Sequence, residues 1–369
     1  MDLYKKSIEK ILANQADSGA YIASPNFPSY AYSWIRDGSF IAFSMDVAGE
    51  HLSARSFHQW VHKTVMKHGE KVESALEKMK VGEGVNENDF LHTRFTLEGE
   101  ESEAEWKNFQ LDGYGTWLWA LSQHITLAQG RSSVVEYQES ITLILSYLSA
   151  IWKHPNYDCW EEFQEFLHPS TLAAIYAGLV AGAELINDPI REIAQRAALD
   201  IKDFVIKEGS VNGFVCKAIS LTPQLEPPEG VDAGLIGVFH PYQLVDHSEP
   251  LAETTIAKIE ADLHRENGGV YRYLKDTYFG GGEWILLAGW LGWYYAEIGE
   301  HGMASGLLTW IEAQVDREGN LPEQVSEHLL APRCYQEWED RWGPVANPLL
   351  WSHAMYIILR NALENRNDE

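Results

Sequence analysis

Several motifs that identify well-known enzyme classes are absent from this 369-residue sequence. It has no glycine-rich phosphate loop, no HExxH zinc motif and no GxSxG nucleophile turn. It also lacks a GxGxxG fingerprint between a strand and a helix. Phosphoryl transfer, metallohydrolysis, serine hydrolase chemistry and dinucleotide binding therefore lose support.

Cysteine, positive charge and long apolar runs are scarce as well. The three cysteines, Cys159, Cys216 and Cys334, form no CxxC pair, which indicates a reducing compartment and no cysteine zinc site. The longest apolar run, 284–296, is shorter than the roughly 18 residues that a membrane span needs, and the N-terminus has no signal-peptide core. We therefore expect a soluble cytoplasmic protein.

The charge is strongly one-sided. The sequence has 28 Lys and Arg against 54 Asp and Glu, a net charge of −26. This field repels phosphate backbones and anionic lipids, so we expect neither a nucleic acid nor a membrane as partner. This negative charge would neither attract nor repel a neutral ligand.

Aromatic residues are abundant, with 14 Trp, 17 Tyr and 13 Phe. Many of them stand beside charged residues and glycine rather than inside apolar runs. A large aromatic core is one interpretation. The other is a cleft in which aromatic faces stack on sugar rings while carboxylates bind the sugar hydroxyls.

Apolar residues recur every three or four positions along much of the chain, the spacing of one buried helix face. One predicted helical hairpin begins at Pro169 and turns at Asp188, a plausible N-cap. Nine further helices are predicted at about 1–14, 38–49, 52–66, 113–128, 135–152, 251–264, 283–298, 303–315 and 347–364. Strand alternation is rare, so the fold class is all-α.

Long segments rich in Gly, Pro, Trp and acidic residues separate many of these helices. They lie at about 19–37, 79–112, 154–168, 207–250, 265–282 and 318–346. Loops of this length in a compact domain are usually functional. We expect one all-α domain over 1–369, a ring of helical hairpins with the long loops at one end. An α-solenoid is the structural alternative.

Histidine spacing offers one candidate metal site. His58 and His62 are four residues apart on a predicted helix and would share one face. The neighbouring His51 and His68 favour a solvated histidine-rich face instead. We therefore predict no metal site and no cofactor.

Two loop glutamates are candidates for acid–base chemistry. Glu161 lies in Asp158-Cys159-Trp160-Glu161-Glu162, and Glu323 lies in a later loop that contains Leu321-Pro322-Glu323-Gln324. Hydrolysis of a glycosidic bond needs one carboxyl group at the leaving oxygen and a second on the opposite side. From spacing alone, two surface glutamates are the simpler interpretation.

Further loops add to this pattern, and together they resemble glycoside hydrolase family 15, the glucoamylase-like α-glucosidases. The matching motifs occur in family order from residue 32 to 352. They are Tyr32-Ser33-Trp34-Ile35-Arg36-Asp37, Trp106 with Gln110 and Asp112-Gly113, the Glu161 segment, Arg272-Tyr273 with Asp276, Tyr278 and Trp284, Glu323-Gln324, and Leu350-Trp351-Ser352.

The resemblance implies an (α/α)6 barrel and hydrolysis of terminal α-glucose with inversion. Glu161 corresponds to the general acid and Glu323 to the general base, with carboxyl groups roughly 6.5–9.5 Å apart. Residues expected to bind the sugar are Trp34, Arg36, Asp37, Trp106, Trp160, Glu162, Arg272, Tyr273, Asp276, Tyr278 and Trp351.

Several of these positions have structural alternatives. Arg36 and Asp37 would also suit a helix start, and Asp276 would also suit a structural partner of Arg272. Trp351 and Trp284 would also suit the core. Asp112 fits a helix cap better than a ligand.

The sequence also departs from the starch-degrading members of the family. Trp34 comes too early for a preceding β-sandwich, and no starch-binding domain is expected. Short sugars, isomaltose above all, are the expected substrate, with maltose-type sugars and trehalose as alternatives. A sugar-binding protein without turnover, or an epimerase using His92, His168, His240 or His353, are the alternatives of another class. The sequence does not predict an oligomeric state.

Overall fold

The computed structural model describes residues 2–102, 104–128 and 133–364. Helices dominate this part of the chain. They are α1 (Leu3–Ala13), α2 (Ile35–Val47), α3 (His51–Lys67), α4 (Gly69–Lys80), α5 (Asp112–Leu127), α6 (Gln138–Ile151), α7 (Pro169–Leu185), α8 (Ile190–Glu208), α9 (Ile236–Phe239), α10 (Pro250–Leu263), α11 (Ile285–Glu297), α12 (His301–Ala313), α13 (Tyr335–Trp342) and α14 (Leu350–Glu364).

Six helices form a closed inner ring. In order around the ring they are α2, α5, α7, α9, α11 and α14, and α14 packs back against α2. The helices α1, α3, α6, α8, α10 and α12 form the outer layer and bury one face each. The result is the (α/α)6 barrel that the sequence predicts. The α-solenoid alternative is wrong, because the ring closes.

Composition explains why α11 lies inside the ring, whereas α2 is equally buried although it carries charged residues. In α11 every residue from Ile285 to Ala296 is buried, and α2 is buried from Ile35 to Asp46. A helix that is apolar on all sides must be surrounded by protein. Glycine permits a close contact in the ring, since a Cβ on Gly178 would lie 2.5 Å from the Gly115 carbonyl oxygen. The helices α5 and α7 therefore meet backbone to backbone.

Three short antiparallel strand pairs fix the loops. β1 (Ser33–Trp34) pairs with β2 (Arg94–Phe95), and β5 (Glu283–Trp284) pairs with β6 (Gln324–Val325). These two pairs precede α2 and α11, so they anchor long loops at the starts of inner helices. The third pair, β3 (Ser210–Val211) with β4 (Phe214–Val215), lies at the end of α8.

Each of the eleven predicted helices has a counterpart, but three helices escaped prediction. α4 is charged and buries only Gly69, Val72 and Ala75, so its apolar stripe is thin. α9 is a single turn, and α13 buries none of its residues. The apolar run 284–296 is the core of α11. No helix within the described residues is both long and apolar enough to cross a bilayer.

Candidate active site

A pocket of about 1140 Å³ lies at the end of the ring where α2 and α11 begin. Long loops supply most of its wall. Eleven of the thirteen residues predicted from the sequence line it: Trp34, Arg36, Asp37, Trp106, Trp160, Glu161, Glu162, Arg272, Tyr278, Glu323 and Trp351. The other two, Tyr273 and Asp276, lie behind this wall.

A tight loop presents Glu161 to the pocket. The buried Asp158 accepts hydrogen bonds at Oδ1 from the backbone N–H groups of Trp160 and Glu162, both at 2.9 Å. The turn places Glu161 at φ 66°, in the left-handed region that costs a non-glycine residue about 1 kcal/mol or more. The Asp158 carboxylate offsets this strain by capping the turn.

The Glu161 carboxyl group is held through one oxygen. Its Oε1 accepts hydrogen bonds from Trp34 Nε1 at 2.8 Å, Trp106 Nε1 at 3.0 Å and Gln110 Nε2 at 3.2 Å. Three N–H donors fill the lone pairs of Oε1, so a proton on this carboxyl group belongs on Oε2. The arrangement fixes the direction in which Glu161 can deliver that proton.

Glu323 is the second predicted catalytic carboxyl group in the pocket, and it is buried, 3% exposed. Tyr30 donates a hydrogen bond to its Oε1 at 3.0 Å, and the Tyr30 and Tyr278 hydroxyls are 2.8 Å apart. Oε2 is buried and has no hydrogen-bond partner among the described residues. Burial raises the pKa of Glu323 to about 8, while the Tyr30 hydrogen bond and the Arg272 charge oppose the rise.

Arg36 and Asp37 begin α2 and face the pocket side by side. Arg36 Nη1 donates to Gln110 Oε1 at 2.9 Å and to Asp112 Oδ2 at 3.0 Å, and Arg36 Nε lies 3.4 Å from Asp37 Oδ2. Burial raises the pKa of Asp37 to about 6, although Arg36 lowers it. The expectation that Asp112 caps α5 is wrong, because Leu111 is at the N-cap position and Asp112 is the first helical residue, where its carboxylate orients Arg36.

Arg272 is oriented by a carboxylate behind the wall. Its guanidinium donates to Asp276 through Nε, at 2.7 Å, and through Nη2, and lies 3.8 Å from Glu162 Oε1. Tyr273 donates to Glu162 Oε2. Asp276 therefore has the position of a structural partner of Arg272, which is the alternative that the sequence left open. Tyr273 contacts Glu162 and orients that carboxylate in the pocket.

Lys217 and Asp232 support the pocket floor and were missed from the sequence. Trp160 Nε1 donates to the Asp232 oxygens at 2.9 and 3.0 Å, and Lys217 Nζ donates to Asp232 Oδ2 at 2.6 Å. Lys217 and Asp232 are 3% and 4% exposed. Both come from the segment 207–250, in which no local pattern marks them as a pair. Tyr30 was also missed as a site residue, although it stands two residues before a recognised motif.

Replacing Lys217 by methionine is expected to lower the free energy of unfolding by about 3–5 kcal/mol. The change removes the cation of a buried ion pair and leaves the Asp232 carboxylate uncompensated. Urea unfolding measures this loss. Lys207→Met is the matched control, because Lys207 Nζ pairs with Glu208 at the surface, where such pairs contribute about 1 kcal/mol at most. Equal stability of the two variants would contradict the role given to Lys217.

Of the four histidines that an epimerase would need, only His92 lines this pocket. The His353 side chain is instead hydrogen-bonded to the Ser7 hydroxyl and to the backbone N–H of Leu321. His168 Nε2 lies within hydrogen-bond distance of two backbone carbonyls. The pocket therefore has paired carboxyl groups rather than paired imidazoles.

Comparisons with known proteins identify relatives of this chain. The family model described as "Glycosyl hydrolases family 15" matches residues 1–316. The chain is 39% identical to isomaltose glucohydrolase of Kribbella flavida over 366 residues, which covers 98% of this chain and 92% of that protein. A solved glycosidase superposes with a TM-score of 0.93 at 39% identity, over 98% of this chain and 96% of that one. The glucoamylase of Saccharomycopsis fibuligera shares the fold, with a TM-score of 0.73 at 15% identity over 99% and 94% of the two chains.

Proposed function

Because the chain belongs to glycosyl hydrolase family 15 and is a glycoside hydrolase acting on a carbohydrate, we propose that it is an inverting exo-acting α-glucosidase. It releases β-glucose from the non-reducing end of short α-glucosides, and isomaltose is the preferred substrate. The barrel described above carries this activity as one catalytic unit. The K. flavida relative, named for hydrolysis of isomaltose, supports the choice of substrate.

The observation that carries the proposal is the contrast between the two carboxyl groups. Glu161 has Oε1 occupied by three N–H donors, which leaves Oε2 to protonate the leaving oxygen as general acid. Glu323 accepts a hydrogen bond from Tyr30 at Oε1, and its buried Oε2 has no hydrogen-bond partner among the described residues. As general base, Oε2 takes a proton from the water that attacks the anomeric carbon. The water attacks opposite the leaving group, so the configuration inverts.

Arg36 and Asp37 give the pocket its preference for a terminal glucose. Both are buried, and each can pair with sugar hydroxyls on the side away from its protein partner. A pocket that fixes hydroxyls this way discriminates strongly against analogues that lack them, because buried polar groups are then left unpaired. Trp34, Trp106 and Trp351 supply the flat apolar surfaces for the sugar faces.

Glu162 is the residue we assign to the leaving sugar. It lies in the pocket wall next to Glu161, and Tyr273 and Arg272 hold its two oxygens. This position suits a carboxylate that accepts hydroxyl hydrogen bonds from the second glucose unit.

The Glu162→Gln variant is expected to raise KM for isomaltose about tenfold. It loses a charge-assisted hydrogen bond, which contributes about 1.5–3 kcal/mol. Hydrolysis of α-glucosyl fluoride, which has no second sugar, should change less than threefold. Steady-state kinetics on both substrates measures the difference. Parallel losses on the two substrates would remove Glu162 from the leaving-sugar subsite.

The function is tested by proton NMR of the protein mixed separately with isomaltose, maltose, trehalose and maltotetraose. Anomeric signals are followed from the first minute. We expect β-glucose first, and fastest from isomaltose. If the newly released terminal unit of isomaltose, maltose or maltotetraose were α-glucose, inversion and the role of Glu323 as base would be overturned. Trehalose tests specificity only, because its departing unit is itself α-glucose. Faster release from maltose or trehalose would select one of the two alternative specificities, and no glucose from any sugar would favour a binding protein.

A further inference from the structure

A second group of buried titratable residues lies far from the sugar pocket. Asp46 of α2, His58 of α3 and His124 of α5 form what we call the histidine cluster. Their exposures are 2%, 0% and 0%, and one ligand atom from each lies within 4.8 Å of the others. Asp46 is nine residues beyond Asp37 on α2, about 14 Å along the helix axis. The histidine cluster therefore takes no part in binding the sugar.

Hydrogen bonds account for only part of the histidine cluster. His124 Nδ1 lies 2.9 Å from both Asp46 oxygens, and His51 Nδ1 lies 2.8 Å from Asp46 Oδ1. A carboxylate only accepts hydrogen bonds, so both imidazoles donate through Nδ1. Within the part of the chain that the structure describes, His58 by contrast has no hydrogen-bond partner at either nitrogen, and His124 has none at Nε2.

An unpartnered histidine in this position is costly. A buried polar group without a partner costs about 1–3 kcal/mol. A buried imidazole whose two nitrogens both lack partners among the described residues can offer either nitrogen to a metal ion.

We propose that the histidine cluster is a structural site for one divalent transition-metal ion, with zinc the best match, ligated by His58, His124 and Asp46. Two imidazoles and one carboxylate supply three of the four ligands of a tetrahedral zinc ion, and a water molecule would fill the fourth position. The ion replaces the proton between His124 Nδ1 and Asp46, and that proton moves to Nε2 of the same ring. His51 keeps its hydrogen bond to Asp46 and orients the carboxylate, as outer partners of metal ligands commonly do.

Binding the ion needs side-chain shifts of at most about 1.5 Å. Two ligands of a tetrahedral zinc ion, each about 2.0–2.1 Å from the metal, lie roughly 3.3–3.4 Å apart. The 2.9 Å separation of His124 and Asp46 is slightly below this span, and the third ligand atom lies within 4.8 Å. The ion would tie the inner helices α2 and α5 to the outer helix α3. Its effect is therefore expected on stability and not on catalysis.

His62 provides a matched control. It lies on the same helix, four residues after His58, but its Nδ1 lies 2.8 Å from Ser140 Oγ and it is not part of the cluster. The two histidines that the sequence offers as an i, i+4 metal site therefore belong to different side-chain groups in the fold. His58 instead meets residues from two other helices.

The test uses the full-length protein after removal of metals with a chelator. Mass spectrometry should find one zinc per chain after reloading. Zinc at 100 times its Kd should raise Tm by about 3–4 °C, whereas magnesium should not. His58→Gln should abolish the zinc shift and His62→Gln should keep it, with isomaltose hydrolysis unchanged in both. Equal zinc shifts in the two variants, or none in the wild type, would overturn the proposal.

A measurement on the wild type alone keeps the proposal falsifiable if His58→Gln does not fold. Cobalt added to the metal-free protein should give visible absorption typical of tetrahedral cobalt with nitrogen and oxygen ligands, and one equivalent of zinc should remove it. Absence of this absorption would show that the histidine cluster is only a hydrogen-bonded group. Hydrolysis of isomaltose is measured on the same sample, so a failed metal site is distinguished from a failed functional assignment.

Discussion

Replacing Glu161 by glutamine is expected to lower kcat for isomaltose hydrolysis by about 10²- to 10⁴-fold, the usual contribution of a positioned general acid. The amide oxygen of glutamine can still accept the hydrogen bonds that Oε1 receives from Trp34, Trp106 and Gln110. The fold and the pocket should therefore persist while the transferable proton is lost. Steady-state kinetics gives kcat, and calorimetry should show that sugar binding remains.

The leaving group distinguishes loss of the acid from general damage. Fluoride departs without protonation, so hydrolysis of α-glucosyl fluoride by Glu161→Gln should fall far less than hydrolysis of isomaltose. Glu165→Gln is the matched control, because Glu165 is an exposed carboxylate of the same loop. An equal loss on both substrates would remove Glu161 from the role of general acid.

The parts of the fold that were predictable are those in which composition alone determines burial. α11 is apolar on every side, so its place inside the ring could be read directly from residues 284–296. α13 was invisible because it buries no residue and therefore has no apolar stripe to detect. Closure of the ring depends on contact between α14 and α2, which are distant in sequence, and only the hairpin pattern and the family resemblance indicated it.

The residues of the candidate site likewise fall into a group that the sequence could predict and a group that it could not. Glu161 and Glu323 stand in short segments whose neighbouring residues mark them, and the fold brings both into one pocket. Lys217 and Asp232 carry no such mark, because a buried ion pair is created by two loop positions meeting in space. Sequence patterns report local periodicity and local motifs, whereas partners that hold a catalytic loop from behind are defined by tertiary contact.

Replacing Glu323 alone by glutamine is expected to reduce kcat by about 10²- to 10⁴-fold, on isomaltose and on α-glucosyl fluoride alike. Both substrates need a base to activate the attacking water, so the fluoride substrate should not rescue this variant. The wild-type kcat/KM should rise with pH as Glu323 loses its proton, near a pKa of about 8 in the free enzyme. If another carboxylate were the base, the Glu323→Gln variant would keep substantial activity, and the role given to Glu323 would be wrong.

The same substitution is expected to stabilise the fold at neutral and alkaline pH. The pKa of Glu323 is about 8 in the folded protein, above the value of about 4.3 for an unfolded glutamate. Between these values the unfolded chain releases the proton and the folded protein keeps it, so the contribution of this group to stability falls as pH rises from about 4 to about 8. Glutamine does not titrate.

The stability difference between the two proteins should therefore grow over that pH range. At about 1.4 kcal/mol per pKa unit, it should reach a few kcal/mol in favour of Glu323→Gln near pH 8 and should vanish near pH 4. Asp37 and Asp158, whose pKa values burial raises to about 6 and about 7, titrate in both proteins and cancel to first order. Urea unfolding of both proteins at pH 4, 6 and 8 measures the trend, and a constant difference across these pH values would contradict it. A catalytic base that is buried away from water lowers the free energy of unfolding. Removing its charge should restore that stability while activity is lost.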